Sequence, residues 1–115
     1  MKSRIYVLLA IAFFVMTTAF QLIKTTLHIT VRDELGNTVK GASVQLFESE
    51  DDYNKEQNVS AQGVTDEKGI LKLKELKPAP YYVIVRKEDK DNSGGAEKTP
   101  KLEEKKVNKV TIIIQ

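Results

Sequence analysis

Hydrophobic and polar positions alternate with a period of two along most of this chain, and polar gaps divide the alternation into short pieces. Over residues 25–32, Leu27, Ile29 and Val31 fall on one side and Thr26, His28, Thr30 and Arg32 on the other, the period of a half-buried strand. That strand stops at Asp33-Glu34-Leu35-Gly36-Asn37, a turn signal. Gly41-Ala42 opens a second, in which Ala42, Val44 and Leu46 alternate with Ser43, Gln45 and Phe47, the small residues marking a close approach at its start. Residues 48–60 are polar, and their cluster Glu48, Glu50, Asp51 and Asp52 cannot be buried unpaired, so an exposed loop is expected. Short strands at 61–65 and 70–73 flank Asp66-Glu67-Lys68-Gly69, where Asp first and Gly last predict a type I turn and hence a hairpin. Residues 81–85 (Tyr-Tyr-Val-Ile-Val) are apolar throughout, as in a central strand; of the adjacent Tyr81 and Tyr82, one must face the core and one outwards. A second polar stretch, 87–106, leads to a last strand at 107–115 with Val110, Ile112 and Ile114 on one side.

Six or seven short strands separated by turn signals, with no amphipathic helix, predict an all-β fold: an antiparallel two-sheet β-sandwich. The final strand ends in three successive isoleucines and must be paired inside a sheet, because such a segment left open invites aggregation.

Ahead of this domain stands a different pattern. Lys2 and Arg4 precede an apolar run from Ile5 to Met16 and then Thr17-Thr18-Ala19, the order of a secretory signal peptide cleaved after Ala19. The competing reading is an uncleaved anchor helix, since residues 5–23 hold only Thr17, Thr18 and Gln21 as polar interruptions and approach the ~20 residues that span a bilayer. Either way the domain over 24–115 is expected to be exported, periplasmic or extracellular, and membrane-bound if the segment is kept. The chain has no cysteine, so lipid attachment through a thiol and disulfides are both excluded. Lys2 and Arg4 are the only charges in the leader; the remainder is net neutral, which argues against a nucleic-acid partner.

Leu27-His28-Ile29-Thr30-Val31-Arg32-Asp33, Val39-Lys40-Gly41-Ala42-Ser43-Val44-Gln45-Leu46, Thr65-Asp66-Glu67-Lys68-Gly69 and Tyr81-Tyr82-Val83-Ile84-Val85 together resemble the carboxypeptidase regulatory-like domain. That family belongs to the prealbumin-like, or transthyretin-like, β-sandwiches of Greek-key type. The resemblance covers residues 25–86 and implies a mostly non-catalytic module of bacterial envelopes, here without a neighbouring enzyme domain. Two related groups with chemistry of their own fit poorly. Transthyretin-like hydroxyisourate hydrolases need several histidines and a Tyr-Arg-Gly-Ser tail, whereas this chain has one histidine, His28, and ends Thr111-Ile112-Ile113-Ile114-Gln115. Cna-B-like adhesin modules form a Lys–Asn isopeptide promoted by a strand glutamate; the matching segment, Tyr82-Val83-Ile84-Val85-Arg86, carries Arg86 at the acid's place, and the first strand offers Leu27, Ile29 and Val31 where the lysine belongs.

Among candidate sites, Asp89-Lys90-Asp91-Asn92-Ser93-Gly94 matches the first half of a calcium loop, in which Asp89, Asp91 and Ser93 supply alternate oxygens and Gly94 the sharp turn. The twelfth position is Pro100 rather than the bidentate glutamate, so calcium would need Glu97, or Asp51 and Asp52 if the two long loops converge. His28, alone among threonines, cannot build a zinc site or a nucleophile–base pair within the chain. Tyr53 is expected as the one exposed aromatic, too little for a carbohydrate platform. A protein partner fits better, contacted through the long loops at Asp51, Asp52, Tyr53 and Asn92. The expected function is that of a non-catalytic exported module binding protein or supporting structure in the cell envelope. A calcium- or small-ligand-binding module is the alternative, and a hydrolase the last.

Overall fold

The computed structural model describes residues 24–93 and 97–115. The expectations for the leader, and for Gly94 and Gly95, lie outside the described residues. Seven strands and one short helix follow in the order β1 (Thr26–Arg32), β2 (Ser43–Phe47), α1 (Glu50–Lys55), β3 (Ala61–Val64), β4 (Ile70–Leu73), β5 (Tyr82–Lys87), β6 (Lys90–Asp91) and β7 (Val107–Ile113). They form two sheets, β4-β1-β7 and β3-β2-β5-β6, packed face to face as a β-sandwich. None of the described helices is long and apolar enough to cross a membrane.

The alternation along the sequence sets the core. Leu27, Ile29 and Val31 of β1 meet Val44 and Leu46 of β2, Val83 and Val85 of β5, and Ile112 and Ile114, all essentially without solvent exposure. Tyr81 is the inward member of the tyrosine pair; its hydroxyl donates to the Lys77 carbonyl at 3.0 Å, so the polar end of a buried ring is satisfied. Leu102, from the second polar stretch, also enters the core.

Two pairings differ from expectation. β7 runs parallel to β1, from Thr26↔Val107 to Arg32↔Ile113, so the sandwich is antiparallel everywhere but here; it also lies at the edge of the β4-β1-β7 sheet, not inside it as its three isoleucines suggested. The sequence around residues 66–69 does form the expected tight turn: Asp66 Oδ1 accepts from the amides of Lys68 and Ile70, and Gly69 takes φ +77°. The flanking strands are not a hairpin, however. β3 pairs with β2 and β4 with β1, so the turn is a corner between sheets. Gly63 makes the corner close, since a Cβ there would lie 2.7 Å from Leu71 Cδ1.

The described parts of the polar stretch 87–106 are tied into the sandwich. β6 folds back on β5 through a two-residue turn in which Glu88 adopts φ +56°, and Gln115 exchanges two backbone hydrogen bonds with Asp91. Further on, Val83 N–H donates to the Glu97 carbonyl and Thr99 N–H to the Tyr81 carbonyl, while Tyr81 N–H donates to Thr99 Oγ1. The edge of β5 that β2 leaves open is thereby covered, a standard protection for a sheet edge.

Candidate functional site

The two polar stretches singled out in the sequence meet on the outer face of the β3-β2-β5-β6 sheet. Residues 48–60 hold a helix that the apolar pattern could not reveal. Ser49 caps it, its Oγ accepting from Asp52 N–H at 3.1 Å; Glu50, Asp51 and Asp52 occupy the first turn, and Glu56 closes it in the left-handed region. Acidic residues at the N-terminal end and Lys55 at the C-terminal end complement the helix dipole. The signal is Ser49 followed by three acids, which a reading driven by hydrophobic period passes over.

This helix is held down by an aromatic stack. Phe47, alternating with the inward residues of β2, points to the outer face and is nonetheless fully buried. Tyr53 of α1 covers it edge-on at 6.1 Å between ring centroids, then leans on Tyr82 at 5.7 Å, and Lys98 Nζ sits 5.1 Å from the Tyr82 centroid. Tyr53 is therefore half-buried, not the freely exposed aromatic expected, because it seals a second, smaller apolar layer behind the sheet.

Arg86 links the helix to the sheet. It sits on the outer side of β5 and pairs with Glu56, and that hydrogen bond holds the Glu56 carboxyl below the usual range and raises the guanidinium. The inward residues of β5 are Val83 and Val85, whereas Arg86 lies on the outer side, away from the core that holds Leu27, Ile29 and Val31.

The second stretch arrives from the other side. A small hollow of about 60 Å³ is lined by Tyr53 of α1, Ile84 and Arg86 of β5, and Asp91, Asn92 and Ser93. Asn92 holds the sheet together here. Its Oδ1 accepts from Val85 N–H, and its amide nitrogen donates to the Val83 carbonyl and to Glu97, continuing the β5 ladder with a side chain. No local signal in the sequence shows this, since its partners lie up to nine residues back on another strand. Asn92→Ala is expected to cost about 2–3 kcal/mol by leaving two half-buried β5 groups without partners. Urea denaturation checks this, and a loss below about 0.5 kcal/mol would place Asn92 among ordinary surface residues.

The calcium candidates do not converge as a cage. Asp89 lies in the turn, and Asp91 stands on β6 opposite Arg86. Asp91 Oδ1 accepts from both the amide and the hydroxyl of Ser93, which hold the carboxyl below its ordinary range. Arg86, the cross-strand partner of Asp91, puts a positive charge near this carboxylate, and no group of three acidic or histidine side chains positioned for a metal occurs among the described residues. Millimolar calcium is expected to leave Tm unchanged; a rise abolished by Asp91→Asn would reinstate the ion-binding alternative.

Asp51 and Asp52 are on the exposed and half-exposed sides of α1. Asp51 pairs with Lys55 at 3.3 Å, and Asp52 accepts from Asn58 and Gln57, which keep its carboxyl low. The whole is a firm polar ridge: α1 on an aromatic base, braced by Glu56–Arg86 and bordered by residues 91–93.

No protein-family model matches the chain, and no curated protein sequence matches it. Solved structures do. The group B streptococcus pilus 2b backbone protein superposes with a TM-score of 0.57 at 17% identity, over 79% of this chain and 40% of that one. BcpA, the major pilin subunit of Bacillus cereus, gives 0.53 at 22% identity over 79% of this chain and 29% of its own. The Bacillus anthracis TIE protein gives 0.54 at 22% identity over 80% and 17%. The chain thus spans less than half the length of each of these relatives in structure. At such identities the likeness shows a shared β-sandwich fold.

Proposed function

We propose that this chain is a non-catalytic, exported β-sandwich module that contacts another protein in the bacterial cell envelope through the α1 ridge and residues 91–93. The observation that carries the reading is the convergence of both long polar stretches on one braced surface, with α1 anchored by Phe47, Tyr53 and Tyr82. A braced surface loses less conformational entropy on binding than two free loops. The fold likeness to a pilus backbone protein and a major pilin subunit supports a surface or structural role over an enzymatic one. Within this proposal, residues 1–19 act as the export signal, or 5–23 as an anchor, and the sandwich is a carboxypeptidase regulatory-like domain. The test is co-purification from envelope extracts in mild detergent. Wild type should bring down a partner at fixed stoichiometry, and Asn54→Arg on the exposed side of α1 should lose it while Tm stays constant. A protein that is monomeric and partner-free in every extract would overturn the reading.

A further inference from the structure

The opposite side of the sandwich has a different character. On the outer face of β4-β1-β7, Lys72, His28 and Lys109 are direct cross-strand partners, forming one row across all three strands. The neighbouring rows place Ile70, Thr30 and Thr111 side by side, and Arg32 beside Ile113. Thr26 and Val107 complete the face, which contains no acidic residue. Lys72, Lys109 and Arg32 make no ion pair among the described residues. Lys72 and Lys109 flank His28 at one strand spacing on either side, so their two ammonium groups build one positive field across this face, with Asp66 near Lys72 at its border. Lys74 adds to the field: burial first, then Lys72, Lys109 and Lys74, push the His28 pKa down.

Two large apolar side chains interrupt the cationic surface in the open, Val107 at 50% and Ile113 at 49% exposure. Cations mixed with exposed aliphatic side chains are the composition of a surface that lies in a lipid headgroup layer. Placement agrees. Where residues 5–23 are kept as an anchor, the reading on which this placement rests, the apolar run ends immediately before Lys24, and the Lys72–His28–Lys109 row is only two residues along β1 from its first residue, Thr26, about 7 Å.

We infer that the outer face of β4-β1-β7 docks on anionic lipid headgroups, with Lys72 and Lys109 as its charge contacts and Val107 and Ile113 as its apolar ones. Docked this way, the α1 ridge, on the outside of the other sheet, faces away from the bilayer and is presented to a partner.

The absence of cysteine allows a clean test. Thr111→Cys in the full chain is labelled with an environment-sensitive fluorophore, and the protein is reconstituted into vesicles of phosphatidylcholine alone or with about 30% phosphatidylglycerol, each containing quencher-labelled lipid. A label at Gln62→Cys, on exposed β3 of the other sheet, is the control. In the anionic vesicles the label at 111 should be quenched and that at 62 should not. High salt should relieve the quenching, and Lys72→Gln with Lys109→Gln should lower the docked-to-free ratio by roughly tenfold. Equal quenching in neutral vesicles, none in anionic ones, or salt-sensitive self-association of the chain in place of quenching would each overturn the inference. None of these outcomes bears on the α1 ridge, whose partner is read separately by co-purification.

Discussion

Phe47→Ala should lower the free energy of unfolding by about 3–5 kcal/mol and release α1 from the sheet. The reason is the unusual position of this ring. It alternates with Val44 and Leu46 and so belongs to the outer face of its sheet, yet it has no solvent exposure because Tyr53 closes over it. Truncation removes the transfer free energy of a large side chain, leaves a cavity beneath α1, and abolishes an edge-to-face pair that contributes about 0.5–1.5 kcal/mol beyond its area. A domain of this size has about 5–15 kcal/mol of total stability, so the variant should sit close to its unfolding threshold. Phe47→Leu, which keeps most of the volume, should cost far less. Urea denaturation followed by tyrosine fluorescence reads both, since Tyr53 and Tyr82 lose their stacked environment when α1 detaches. A loss under about 1 kcal/mol for Phe47→Ala would mean that the helix does not seal the ring.

Gly69→Ala should cost about 2–4 kcal/mol, whereas Gly63→Ala should cost about 1 kcal/mol or less, although both residues lie in close quarters. At Gly69 the backbone has φ +77°, and an added Cβ would stand 2.8 Å from Thr38 Cβ, 2.9 Å from Val39 N and 3.2 Å from the Val31 carbonyl oxygen. Left-handed backbone strains any L side chain by about 1–2 kcal/mol, and two of the three neighbours are main chain that cannot step aside. The same peptide accepts a hydrogen bond from Val31 N–H at 2.9 Å, so any shift also loosens β1. At Gly63 the nearest atom is the tip of the Leu71 side chain, which can change rotamer, and φ is unremarkable. Thermal denaturation of the two variants checks the ordering; equal losses would show that the corner between the sheets is more pliable than its geometry implies.

Much of the sandwich is legible in the sequence because its core residues obey a two-residue period over continuous stretches. Leu27-Ile29-Val31, Val44-Leu46 and Ile112-Ile114 need no partner to reveal which way they face. The features that escape have causes at long range. The parallel pairing of β7 with β1 depends on where the stretch before it crosses the sandwich, and residues 66–69 form the same tight turn whether the strands beside them pair or diverge. Parity alone assigns Phe47 to solvent, since nothing nearby shows that Tyr53, six residues later in a polar segment, returns to cover it. Of the candidate contact residues, Asp51 and Asp52 stand on α1, while Asn92 acts inside the sheet through its amide. Sequence parity finds faces; it does not find the side chains that substitute for backbone pairing.

The most direct measurement is site-specific photo-crosslinking in the native host, with the reactive residue placed at Asn54 on α1, at Ser93 across the hollow, and at Leu35, which is 88% exposed in the turn after β1. If the two polar stretches make one contact surface, Asn54 and Ser93 should yield the same single adduct and Leu35 none. Different adducts from Asn54 and Ser93, or an adduct from Leu35 alone, would contradict a shared ridge and move the contact surface elsewhere on the sandwich.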